Sequence, residues 1–269
     1  MKRGCICNSV ANDRQTEVVM KFLQPIIIFS ILLTLGNCAE LFSSKDKDNN
    51  NDAILAALLS NSGTCGQSAR SGAAGTGTRY NFFGCSGDAT TTLLGLGFTA
   101  QNITFNGGLS GTSDASTIVT RGSSLSSSGG SKKAGIEITY VLNNASSILK
   151  ANLPSEASIN GPGFSIFATG ANKLVNDAAS AFDDKPASWS SSVGVEKILC
   201  LEVHEEGTGA HIFGWEGSCD TVNRNSYQFE QEDVALAVSG DRVALKLNNV
   251  VVKSMTIYSS VIGLGAMIR

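Results

Sequence analysis

The chain has 269 residues, with 20 Lys and Arg against 23 Asp and Glu, 29 glycines and 42% hydrophobic residues. A net charge of -3 leaves no basic surplus to neutralise phosphates, which excludes an electrostatic nucleic-acid binder. Only 16% of residues are charged, below the usual quarter or so, so Ser, Thr, Asn and Gly must supply much of the surface of a turn-rich folded protein.

Met20–Cys38, MKFLQPIIIFSILLTLGNC, has a basic start at Lys21, an apolar run from Ile26 to Leu35 and a cysteine behind small or polar residues. Such a run is too short to span a bilayer, which takes about 20 residues, and suits a cleaved signal segment. Leu35-Gly36-Asn37-Cys38 departs from the strict enterobacterial lipobox, which places Gly, Ala or Ser before the cysteine, and resembles the looser spirochaetal lipobox. Lipidation of Cys38 is therefore expected. Acyl chains there would contribute about 0.8 kcal/mol per buried CH2, enough for a stable membrane anchor. Residues 1–19 carry Cys5, Cys7, Asp13 and Glu17 without an apolar run, so the expected start is Met20 and residues 1–37 are read as leader.

Removing residues 1–37 from 269 leaves 232, a size one large all-β domain fills. Taking the four basic and two acidic leader residues from 20 and 23 leaves 16 against 21. With Cys5 and Cys7 in the leader and Cys38 lipidated, four cysteines remain, namely Cys65, Cys85, Cys200 and Cys219. An even remainder in an exported chain reads as two disulfides. Of three connectivities the sequential one, Cys65–Cys85 and Cys200–Cys219, is expected, because each pair brackets a hairpin-sized segment. Neither spacing is that of a zinc site.

Residues 38–60 read as a solvated tether, AELFSSKDKDNNND, followed by a short helix over Ala53–Leu59 capped by Asp52. Asp46, Asp48 and Asn50 alternate as in an EF-hand loop, but Asn51 and Ala57 stand where its Gly and bidentate Glu belong. The order of tether, leucine-rich helix and Asn-Ser-Gly-Thr-Cys resembles the opening of Leptospira-type surface lipoproteins. The likeness covers Met20–Cys65 and implies compartment, not activity.

Residues 61–269 are expected to form a β-sandwich domain. Ser60–Gly77 reads as a loop. Short β-branched and aromatic stretches follow at Arg79–Phe83, Gly97–Phe105, Ser116–Arg121, Gly135–Leu142 and Gly163–Thr169. Ile136, Ile138 and Tyr140 share one face. Gly122–Lys133 reads as a serine-rich surface loop and Ala171–Phe182 as a short helix. The second half predicts strands at Lys197–His204, Ala210–Trp215, Tyr227–Phe229, Asp233–Val238, Arg242–Leu247, Val250–Tyr258 and Val261–Met267. Asn248-Asn249 is a two-residue hairpin signal of the kind that tolerates positive φ. The expected fold class is all-β, an antiparallel two-sheet sandwich or jelly roll. Val238–Ile257, VSGDRVALKLNNVVVKSMTI, resembles the end of a laminin-G or concanavalin-like jelly roll. No calcium or sugar ligands of those families have matching residues here.

A hairpin centred between Gly207 and Thr208 sets His204 opposite His211 and Trp215 opposite Cys200. Two imidazoles with Cβ atoms about 5 Å apart, beside Glu202 or Glu206, can hold a divalent cation. The competing expectation is a pair of exposed histidines beside a polar turn. The pair is not HExxH. Trp215 is expected in the core beside a disulfide, while Trp189, among serines, is the candidate ligand-stacking aromatic. No Gly-x-Ser-x-Gly occurs after the leader, and Glu205-Glu206 and Asp183-Asp184 are adjacent in sequence and point apart on a strand. The expectation is a binding protein without cofactor or enzymatic activity. It would be displayed on an outer membrane as an adhesin for host extracellular-matrix or plasma proteins. The alternatives are a lectin-like carbohydrate-binding domain and a structural envelope lipoprotein. A sheet face lined with aromatics would favour a lectin, and a polar face contact with protein.

Overall fold

The structure, a computed structural model, describes residues 65–122, 126–128, 131–154, 159–174, 193–206, 209–224, 226–234 and 241–259. Cys38, the tether, the helix expected over Ala53–Leu59, Trp189 and the strand expected at Val261–Met267 lie outside them. All described residues fall in one unit, Leu58–Arg269.

In chain order the elements begin with β1 (Gly66–Gly72), β2 (Gly75–Asn81), α1 (Ala89–Gly95), β3 (Phe98–Gln101), β4 (Ile103–Phe105) and β5 (Leu109–Gly111). β6 (Thr117–Thr120), β7 (Ser126–Ser128), β8 (Ser131–Leu142), β9 (Ile148–Asn152), β10 (Gly163–Phe167) and β11 (Lys173–Leu174) follow. The last are β12 (Glu196–Glu206), β13 (Gly209–Glu216), β14 (Phe229–Val234), β15 (Ala244–Asn248) and β16 (Val250–Tyr258). They build two antiparallel sheets. One runs β1-β2-β16-β8-β12-β13-β14, with β5 also on β16, β4 on β5 and β7 on β8; the other runs β11-β10-β9-β15-β6-β3.

Period-two alternation makes the sandwich. From β8 the side chains of Ala134, Ile136, Ile138, Tyr140 and Leu142 enter one buried cluster. The opposing sheet sends in Ile118, Leu149, Ala151, Phe164, Ile166, Leu245 and Leu247. Phe164 and Phe229 join the two sheets as a stacked pair with centroids 4.3 Å apart. α1 closes one end. Asp88 caps it by accepting from the Thr91 amide at 2.7 Å, and Ala89 and Leu93 are its buried residues.

Several expectations need correction. Residues 66–77 are not a loop but the greater part of the β1–β2 hairpin, held by backbone pairing from Gly66↔Asn81 to Gly72↔Gly75. The serine-rich stretch holds β7, which pairs with the start of β8. Lys173 and Leu174, expected in a helix, pair with Ser165 and Phe164; the rest of that segment lies outside the described residues. Gly97–Phe105 is two strands in different sheets, divided at Asn102 (φ 50°). Asn249 does adopt positive φ, at 54°, but the turn is not a hairpin, because β15 and β16 belong to opposite sheets. A left-handed residue redirects the chain equally well into a neighbouring strand or a facing sheet, so the turn signal alone does not choose.

Candidate functional sites on the two outer faces

Two disulfides join the expected partners. Cys65–Cys85 and Cys200–Cys219 have Cα separations of 4.6 and 5.1 Å. The second pins the segment after β13 onto the outer face of the larger sheet. There Glu137 accepts from the Ser218 hydroxyl and the Cys219 amide, each at 2.8 Å. Asp220 pairs with Arg70 and accepts from the Ala74 amide at 2.8 Å, and Arg224 donates to the carbonyls of Cys219 and Ala73. One loop thereby ties β8, β12 and the tip of the first hairpin together. Beneath it Trp215 is buried opposite Cys200, donating its indole N–H to the carbonyls of Asn223 and Ser226 at 3.0 and 2.8 Å. Trp215 is a packing residue and is closed to a ligand.

His204 pairs with His211 in the β12–β13 ladder, and their rings meet edge to face with centroids 4.8 Å apart. They are not exposed beside the turn: they are 4% and 6% accessible, because the outer face of this sheet is itself covered. His204 Nδ1 lies 3.3 Å from Glu202 Oε1, and His211 Nε2 lies 3.0 Å from Glu230 Oε1. Phe213 packs against both rings. Among the described residues no group of three or more His, Cys, Asp or Glu is disposed to hold a metal ion.

Two cavities are formed among the described residues. The smaller, of about 180 Å³, lies on the larger sheet and is lined by Asn81, Phe83, Thr139, Glu196, Lys253 and Ser254. Phe83 is 43% exposed, but the Lys253 ammonium sits 5.6 Å from its ring centre and pairs with Glu196. The larger, of about 310 Å³, lies on the outer face of the six-stranded sheet. Its lining includes Thr99, Gln101, Thr117, Thr120, Arg121 and Arg242, with Val119 and Ile159 as its apolar members. Among the described residues its lining contains no aromatic side chain. Alternation explains the composition: Phe98, Ala100 and Ile118 point inward, so Thr99, Gln101 and Thr117 must point outward. Arg242 is buried beside Asp241, with Nε 3.1 Å from Oδ1, while Arg121 is exposed.

Sequence reasoning did not find these residues. They come from β3, β6 and the segments at 159 and 242, and no short motif links them. Among the described residues no helix is long and apolar enough to cross a membrane.

No protein-family model matches the chain, and no curated protein sequence matches it. Solved structures of similar shape include the Emp46p carbohydrate recognition domain, at 12% identity and a TM-score of 0.41, covering 66% of this chain and 93% of that one. Peanut lectin is similar at 12% identity and a TM-score of 0.39, covering 71% and 96%. A Trypanosoma rangeli sialidase follows at 9% identity and 0.36, covering 60% of this chain and 27% of that one. Identities this low transfer no residue roles.

Proposed function

We propose that this protein is a surface lipoprotein of a spirochaete-like bacterium, held on the outer membrane by acyl chains on Cys38, whose β-sandwich acts by binding. Its partner would be a component of host extracellular matrix or plasma. The observation that carries the binding role is the cavity of about 310 Å³ on the six-stranded face, where hydroxyl, amide and guanidinium groups converge. Such a lining presents several hydrogen-bond donors beside the apolar Val119 and Ile159, which suits a polar extracellular partner. The opposite face is closed over Trp215 and the histidine pair, so the cavity face is the better docking surface.

The lectin-like reading has its own supporting feature, the exposed Phe83 beside Asn81, Thr139 and Ser254 in the smaller cavity. Aromatic stacking on a sugar would require Lys253 to leave the ring.

Binding of the lipidated protein to immobilised matrix and plasma proteins and to a glycan array tests both readings. Arg121→Ala is expected to weaken matrix binding while Phe83→Ala leaves it unchanged, and the reverse pattern favours the lectin. Mass spectrometry of the native protein is expected to find acyl chains on Cys38. An unmodified Cys38 overturns the anchor.

A further inference from the structure

The pairing of the six-stranded sheet places one row of outward residues across all six strands: Gln101, Thr117, Lys246, Lys150, Ser165 and Lys173. Their chain neighbours Ala100, Ile118, Leu245, Leu149, Phe164 and Ile166 face the core, so the row lies on the outer face, where Gln101 is exposed, the three lysines are half-buried and Thr117 and Ser165 are buried. At the strand spacing of about 4.8 Å it is roughly 24 Å long and runs perpendicular to the strands. Three of its members are lysines and none is acidic.

Lys246 and Lys150 are direct cross-strand partners, an arrangement in which like charges repel. The Lys246 ammonium is held below the usual lysine range, first by partial burial and then by the Lys150 charge, against the opposing pull of Asp114. Its Nζ donates to Asn160 Oδ1 at 3.0 Å. Gln101 and Thr117 at the head of the row also line the larger cavity, beside Arg121 and Arg242. Lysine row and polar cavity therefore share one face of the sheet, in a chain whose net charge is -3.

We infer that this surface binds an acidic linear polysaccharide, its sulfate or carboxylate groups lying along the lysine row and a sugar unit entering the cavity. The inference rests on the binding role proposed above and narrows its partner to the anionic glycans of matrix. An anion bridging Lys150 and Lys246 relieves their repulsion. A linear polymer meets cations at intervals of about 5 and 10 Å along the row. The hydroxyls and amides of the cavity suit a saccharide better than an apolar or aromatic group.

Binding of the full protein to immobilised dextran sulfate, to unsulfated dextran and to single-stranded DNA tests this. Dextran sulfate is expected to bind, unsulfated dextran not to bind, and DNA to bind more weakly. The affinity for dextran sulfate should fall steadily as salt rises. The double variant Lys150→Gln/Lys246→Gln should lose affinity about tenfold without a fall in melting temperature. Lys150→Arg/Lys246→Arg should retain it. Equal binding of sulfated and unsulfated polymer overturns the inference, as does DNA binding as tight as that of dextran sulfate. Unchanged affinity in the Gln variant also overturns it. If Arg121→Ala weakens binding to a matrix component while dextran sulfate is ignored, the inference fails and the binding role stands. Binding to no matrix component, glycan or polymer overturns both.

Discussion

Asn102 and Asn249 are the two non-glycine residues with positive φ among those described, and each marks a point where the chain passes from the six-stranded sheet to its partner. The residues that follow them, Ile103 and Val250, pair with the same residue, Gly111. Gly111 has no room for a side chain: a Cβ there would lie 2.4 Å from the Leu247 carbonyl oxygen. The two corners are thus stitched to one strand.

Asparagine accepts the left-handed conformation at lower cost than other non-glycine residues. Asn249→Gly should therefore leave stability nearly unchanged, and Asn249→Val should lower it by about 1–2 kcal/mol in urea unfolding. The Asn249 side chain also donates to Ser146 Oγ at 3.3 Å, so a small loss in the glycine variant is consistent with this account. A valine variant as stable as the parent would refute it.

Gly214 is fixed by two neighbours at once. A Cβ there would lie 2.4 Å from the Cys200 carbonyl oxygen and 2.6 Å from the Phe229 ring, whose position is held by Phe164. Gly214→Ala should cost about 1–3 kcal/mol. Shortening the ring in Gly214→Ala/Phe229→Leu should recover only part of that, since the backbone oxygen cannot withdraw. Calorimetric melting of the two variants checks the order.

The loop over Trp215 is held by the second disulfide and by Asp220. With its cysteines 19 positions apart, that bridge contributes about 3 kcal/mol. Cys200→Ser/Cys219→Ser is expected to lose that amount and to shift Trp215 fluorescence to the red as the loop lifts. Asp220→Ala removes the Arg70 ion pair and the acceptor for Ala74. Both ionic side chains are about one-fifth exposed, at 22% and 20%, so solvent screens the pair and the expected loss is smaller, about 1–2 kcal/mol.

Burial pushes the Tyr140 phenol above its ordinary range, helped by the negative charge of Glu216. It does the same for Tyr258, where Glu137 and Asp220 add to the effect and Arg70 opposes it. A phenol held protonated by folding contributes stability that is complete below its ordinary pKa of about 10 and is lost as pH rises beyond it. Ultraviolet titration should show these phenolates appearing only with unfolding. Tyr140→Phe, which removes one such group, should raise the midpoint of alkaline unfolding. Early, reversible ionisation in the folded protein would contradict the burial.

How far the fold can be read from the chain depends on the range of the interaction. The register of β12 on β13 follows from one short turn, which is why His204 faces His211 and Trp215 faces Cys200 as the spacing predicts. Burial of the histidines depends on what covers the sheet, and no local pattern encodes that. Gly66–Gly72 has the composition of a loop, GQSARSG, and becomes a strand because β2 supplies its partners. The helix Ala89–Gly95 was missed because three consecutive threonines obscure the cap at Asp88. Lys150, Lys246 and Lys173 are scattered in sequence, and only the ladders of β9, β15, β10 and β11 bring them into line.

β15 and β16 occupy interior positions, one between β9 and β6, the other between β2 and β8. A nascent polypeptide lacking residues 244–258 thus cannot complete either layer, whatever has already been synthesised. Folding must wait for distant segments to meet, a slow, high-contact-order assembly.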